Sequence, residues 1–135
     1  MYYFASTSKS FEQALKDLTK NVKAHGYSIL HVHDFAEIFK TKRVVFDAKD
    51  PGFQELCQVF EVCNASQARR VMENDMRLNM ALPCRISVYT ENRKVKVGML
   101  SPQKLINQLS DNAVVKEIAR EVDATLRQVI DETVR

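Results

Sequence analysis

Glycine and proline are scarce in this chain of 135 residues, three of each, and tryptophan is missing altogether. With only Gly26, Gly52 and Gly98 there is no glycine-rich loop to cradle a phosphate, which excludes the P-loop and the dinucleotide fingerprint. No Ser-His-Asp set stands in its usual motif context either. Cysteine is also sparse. Cys57, Cys63 and Cys84 are an odd number in a chain that is 45% hydrophobic, a pattern that argues against a secreted disulfide scaffold. The opening MYYFASTSKSF has no basic start followed by an apolar run, and nowhere does an apolar run approach the ~20 residues of a membrane span. Neither a signal peptide nor a membrane partner is expected, and a reducing, cytoplasmic setting is. The net charge of +3 is mixed in sign. Its one compact basic patch is Lys40–Arg43, too small for the dense basic face of a nucleic-acid binder, so nucleic acid is not an expected partner.

What is present is a continuous alternation of short elements, with no repeat or linker to divide residues 1–135 into more than a single domain. Tyr2 to Ser6 reads as a strand. Ser10 with Gln13 forms a capping box for a helix whose apolar face is Phe11, Ala14, Leu15, Leu18 and Val22, and Gly26 is placed to end it. Tyr27 to His33 reads as a second strand. Asp34 caps a short helical turn, with Glu37 three residues on and Phe35, Ile38 and Phe39 expected on its buried side. After the Pro51-Gly52 break, Phe53 to Cys63 reads as one long central strand, with Leu56, Phe60 and Val62 on one face and Cys57 and Val59 on the other. His31 and His33 share a strand face at a spacing that can chelate zinc or copper, yet a solvated face explains them as well, and no metal site is assigned.

The next junction holds the chemistry. Asn64 is a good N-cap with Gln67 at N3, and Ala68, Val71 and Met72 give the helix its apolar stripe. Cys63 therefore ends a strand beside a helix N-terminus, where unpaired N–H groups favour a thiolate. Leu82-Pro83-Cys84 leads into a strand in which Cys84, Ile86 and Val88 face inward and Arg85, Ser87 and Tyr89 face the other way. Glu91 to Arg93 turns it into a partner strand lined by Val95, Val97 and Met99. Ser101-Pro102 opens a short helix. A long amphipathic helix follows, with Val115, Ile118, Ala119, Val122, Leu126, Val129 and Ile130 on one face.

These residues carry a resemblance. Cys63-Asn64, Ala68, Leu82-Pro83-Cys84, Val88-Tyr89 and the helix with Ile118-Ala119, Val122 and Leu126 are together similar to the prokaryotic family catalogued as domain of unknown function 302. Where that family usually continues Cys-Asn with proline, this chain has Ala65. The resemblance implies an α/β (α+β) fold, an antiparallel sheet covered by helices. Its plan is β-α-β4-α, similar to the TATA-binding-protein-like folds with an extra helix between central strands, and it implies a homodimer. It implies no reaction or cofactor.

If the strands before and after Asn64 are antiparallel neighbours, Cys63 and Cys84 meet at one edge of the sheet. Two functions fit. In the first, a pocket formed there binds a small molecule through Asn64, Pro83 and Arg85, or supports thiol redox chemistry in which Cys63 attacks and Cys84 resolves. In the second, the cysteines only pack, as buried thiols commonly do, and the domain is a non-catalytic homodimeric interaction module.

Overall fold

A computed structural model describes all of residues 1–135. Its elements run β1 (Tyr2–Thr7), α1 (Phe11–Ala24), β2 (Ser28–Asp34), α2 (Phe35–Thr41), β3 (Cys57–Cys63), α3 (Ala65–Asn74), a 3-10 turn (Met76–Ala81), β4 (Cys84–Glu91), β5 (Lys94–Leu100), α4 (Pro102–Leu109) and α5 (Ala113–Val134). The five strands form one sheet in the order β1-β5-β4-β3-β2, and every neighbouring pair is antiparallel. The mixed α/β class and the antiparallel sheet expected from the sequence are both found.

Local chemistry sets the element boundaries. Ser10, Asp34, Asn64 and Ser101 each accept a hydrogen bond from the backbone N–H three residues on, closing the first turns of α1, α2, α3 and α4. Asn112 does the same for α5. Gly26 stands just past α1 with φ +81°, a left-handed conformation that lets the chain reverse into β2. Between β4 and β5 only Asn92 and Arg93 intervene, with φ 51° and 68°, the two positive values of a tight hairpin.

One side of the sheet carries the long helices. Phe60 and Val62 of β3, Ile86 and Val88 of β4, and Val97 and Met99 of β5 pack there against Leu18 and Val22 of α1 and Ile118, Leu126 and Ile130 of α5, in a single core cluster. Asp123 is the core's charged member. Ser101 Oγ donates to its carboxylate, Gln103 N–H donates at 3.2 Å, and Arg127 completes the cluster. The Arg127 guanidinium also lies 4.4 Å from the Tyr3 ring centre, whose hydroxyl donates to Asp131. The C-terminal helix is thus tied to the first strand.

Two expectations fail. The central strand begins at Cys57, not Phe53: the backbone over Phe53–Leu56 is irregular, Gln54 Nε2 donates to the carbonyls of Pro51 and Gly52, and Phe53 and Leu56 are exposed. Leu56 therefore shares no strand face with Phe60 and Val62. Helix α2 buries none of its residues. It lies on the far side of the sheet, where Phe35 stacks near His33, Phe39 meets Phe35, and Phe53 meets Phe39 edge-on with ring centres 5.0 Å apart. With no layer above it, this file of rings is covered from one side only.

Candidate functional site

The far side of the sheet is laid out by strand register. One cross-strand row runs Phe4, Gly98, Ser87, Val59, His33 through all five strands, and the next runs Ser6, Lys96, Tyr89, Cys57. Along β3 and β4 the row on the other flank is His31, Glu61, Arg85. Alternation puts all of these opposite the helical layer. Gly98 is required by closeness. A Cβ there would stand 2.5 Å from the Phe4 Cβ and 3.0 Å from the Tyr3 carbonyl oxygen.

Over the β1, β5 and β4 half of this face lies a cavity of about 560 Å³. It runs past the end of the sheet toward α4, and Tyr2, Phe4, Leu56, Pro83, Leu100 and Leu105 are among its walls. Three charged residues line it, Glu55, Arg85 and Glu91. Glu91 is paired with Lys96 at 2.8 Å, and Glu55 Oε2 accepts from the Asn92 N–H at 3.1 Å.

A second cleft of about 180 Å³ lies on the helical side, and Cys63, Asn64, Pro83 and Cys84 all line it, with Tyr27, Gln67 and Val71. The sequence-predicted residues thus divide. Four share the smaller cleft, while Arg85 lines only the larger cavity. Leu82, Pro83 and Cys84 border both, so this tripeptide, whose Leu82-Pro83 bond is cis, is the wall between them.

Register explains how the two cysteines come together. Val62 pairs with Cys84, which makes Cys63 the diagonal neighbour of Cys84, about 6 Å away between Cα atoms by strand spacing and rise. All three cysteines are free thiols. Burial pushes the Cys84 thiol up to about 11, with Cys63 and Asp123 adding to the rise. Burial also raises Cys63, and it raises Cys57 against the opposing charge of Arg85. The lowered value expected for Cys63 beside a helix N-terminus is not found. Desolvation of the thiolate outweighs the helix end. Asn64 is spent on the fold: its oxygen accepts from the Gln67 N–H at 3.0 Å and its Nδ2 donates to the Gly26 carbonyl at 3.4 Å. Gln67 Oε1 in turn accepts from the Tyr27 hydroxyl at 2.7 Å.

His31 and His33 stand on β2, the strand beside Cys63's own, where they pair with Glu61 and Val59; their ring centres are 4.5 Å apart, and His33 Nε2 lies 2.8 Å from Glu61 Oε2. Nowhere do three His, Cys, Asp or Glu residues gather in a metal-holding group. The feature that sequence reasoning missed is the large cavity itself. Its signal was present in the alternate residues of β1 and β5, where Tyr2, Phe4 and Leu100 make the outward face apolar.

Fold and site together define an α+β domain with one helix-covered sheet face and one apolar, hollowed face. Residues 2–133 match the family described as Domain of unknown function DUF302. The chain belongs to the DUF302 family. It is similar to the crystal structure of an uncharacterized conserved DUF302 protein from Bacillus stearothermophilus, with 26% identity over 99% of this chain and 98% of that one, and a TM-score of 0.87. No curated protein matches it. No helix is long and apolar enough to cross a membrane.

Proposed function

We propose that residues 1–135 act as one small-molecule-binding domain, which holds an apolar ligand in the cavity on the uncovered sheet face and works in the cytoplasm, where its thiols stay reduced. The observation that carries this reading is the cavity: about 560 Å³, within the range of roughly 300–1,000 Å³ in which small ligands are held. Pro83 and Cys84 serve as wall residues. The burial of Cys63 and Cys84 favours binding over redox chemistry, because attack by Cys63 with Cys84 resolving needs a thiolate that burial opposes at both positions. The test uses the neutral dye Nile red. Its fluorescence should rise on mixing with the protein and fail to rise with Leu100→Arg, which puts a charge at the cavity wall at a half-exposed position. An unchanged signal in the variant, or none with the parent protein, rejects the reading.

A second reading has its own support. Tyr2 is 81% exposed, Phe4 54% and Phe46 88%, and apolar surface of this kind suits a second copy of the chain in a homodimer. Light scattering decides it: a dimer that Phe4→Asp splits supports the interface, and a monomer at every concentration rejects it.

A further inference from the structure

The cavity's one unpartnered charge specifies what it takes. Of its three charged residues, Glu91 is occupied by Lys96 and Glu55 by the Asn92 N–H. Arg85 makes no ion pair with any carboxylate. Its cross-strand neighbour Glu61 is turned to His33 on the other side, at 2.8 Å. A guanidinium with its planar fork free, set beside an apolar hollow, matches a planar anion on an apolar body. The surrounding charges limit that anion. Glu61 stands opposite Arg85 across the strand pair and its charge is felt there, and no second free cation lines the cavity, so a single negative charge fits where a dianionic phosphate would meet repulsion.

From this we infer that the ligand is a monomeric long-chain carboxylic acid, its carboxylate on Arg85 and its hydrocarbon chain against Leu100, Tyr2, Pro83 and Leu105. The inference rests on the cavity reading above and adds the class of ligand to it. Arg85 is exposed on a strand surface, and its replacement removes no core contact.

Titration calorimetry with dodecanoate and 1-dodecanol, both below their aggregation limits, separates the two levels. The parent protein should bind both and prefer dodecanoate. Arg85→Gln should weaken dodecanoate about tenfold, the loss of a charge-assisted pair, and leave dodecanol unchanged, while circular dichroism confirms that the variant is folded. Undiminished dodecanoate binding by Arg85→Gln, or an equal loss for both probes, overturns the carboxylate assignment and leaves the cavity reading standing. Failure of the parent protein to bind either probe overturns both.

Discussion

Replacing Gly98 by alanine tests the geometry of the uncovered face, because two opposing effects of known size meet there. In an ordinary strand position the change stabilises by about 0.4–1 kcal/mol, since the unfolded chain loses freedom. Here the added methyl would sit 2.5 Å from the Phe4 Cβ and 3.0 Å from the Tyr3 carbonyl oxygen. Neither atom is the far end of a flexible side chain, so β1 itself must shift away from β5. Overpacking of this kind costs about 1–3 kcal/mol. The clash should win, with a net loss of about 0.5–2 kcal/mol read from the urea midpoint and a fall of roughly 2–10 °C in Tm. Phe4→Gly removes the opposing Cβ, and the double variant should therefore lose less than the sum of the two singles. A Gly98→Ala protein as stable as the parent, or strictly additive singles, refutes the close approach of β1 and β5.

Asp123 supplies a pH dependence. Burial alone would raise its carboxyl, but Ser101, Arg127 and the Gln103 N–H together hold it below the usual range. A lowered folded value means stability that is present above the unfolded carboxyl pKa of about 4 and lost as pH falls through the folded one. Asp123→Asn should cost about 1–3 kcal/mol at neutral pH and flatten the acid limb of denaturant midpoint against pH; an unaltered limb assigns that limb to other carboxylates. At the hairpin, Arg93→Gly relieves a left-handed non-glycine residue, φ 68°, and should stabilise by up to about 1 kcal/mol, with a lower midpoint contradicting the turn geometry. Native alkylation at pH 8 should spare Cys84, whose value of about 11 leaves about one thiol in a thousand ionised. Mass spectrometry of the peptides checks this, and labelling of Cys84 ahead of Cys63 would contradict its burial.

Much of the fold was legible because it is written in local chemistry. Ser10, Asp34, Asn64 and Ser101 announce their helices through side-chain caps, and Cys84, Ile86 and Val88 declare the inner face of β4 by alternation alone. Asn112 carries the same signal for α5. The apolar residues Phe53 and Leu56 misled for a physical reason. Their hydrophobicity suits a strand, but the backbone there is irregular, with the Gln54 side chain bonded to carbonyls two and three residues back, which no periodicity reports. At the site, the meeting of Cys63 and Cys84 followed from antiparallel register. The sign of the Cys63 shift did not, because a helix end is visible in sequence and the depth of burial is not. Arg85, which alternation turns away from Cys84, is absent from the smaller cleft and lines the larger cavity, whose walls also include Pro83, Cys84 and Cys57.

The pairing of β1 with β5 joins Tyr2 to Leu100 and Thr7 to Val95, and Thr7 Oγ1 also donates to the Val134 carbonyl at 2.9 Å. The first strand in this order of elements is accordingly bonded to the last. Its pairing waits for β5, and its tie to α5 waits for Val134. Contacts so distant in sequence slow folding, and the Tyr2–Thr7 edge stays open throughout synthesis. Until β5 is in place both edges of β1 are unpaired, where the finished sheet leaves one, so exposure to strand addition is greatest before β5 arrives.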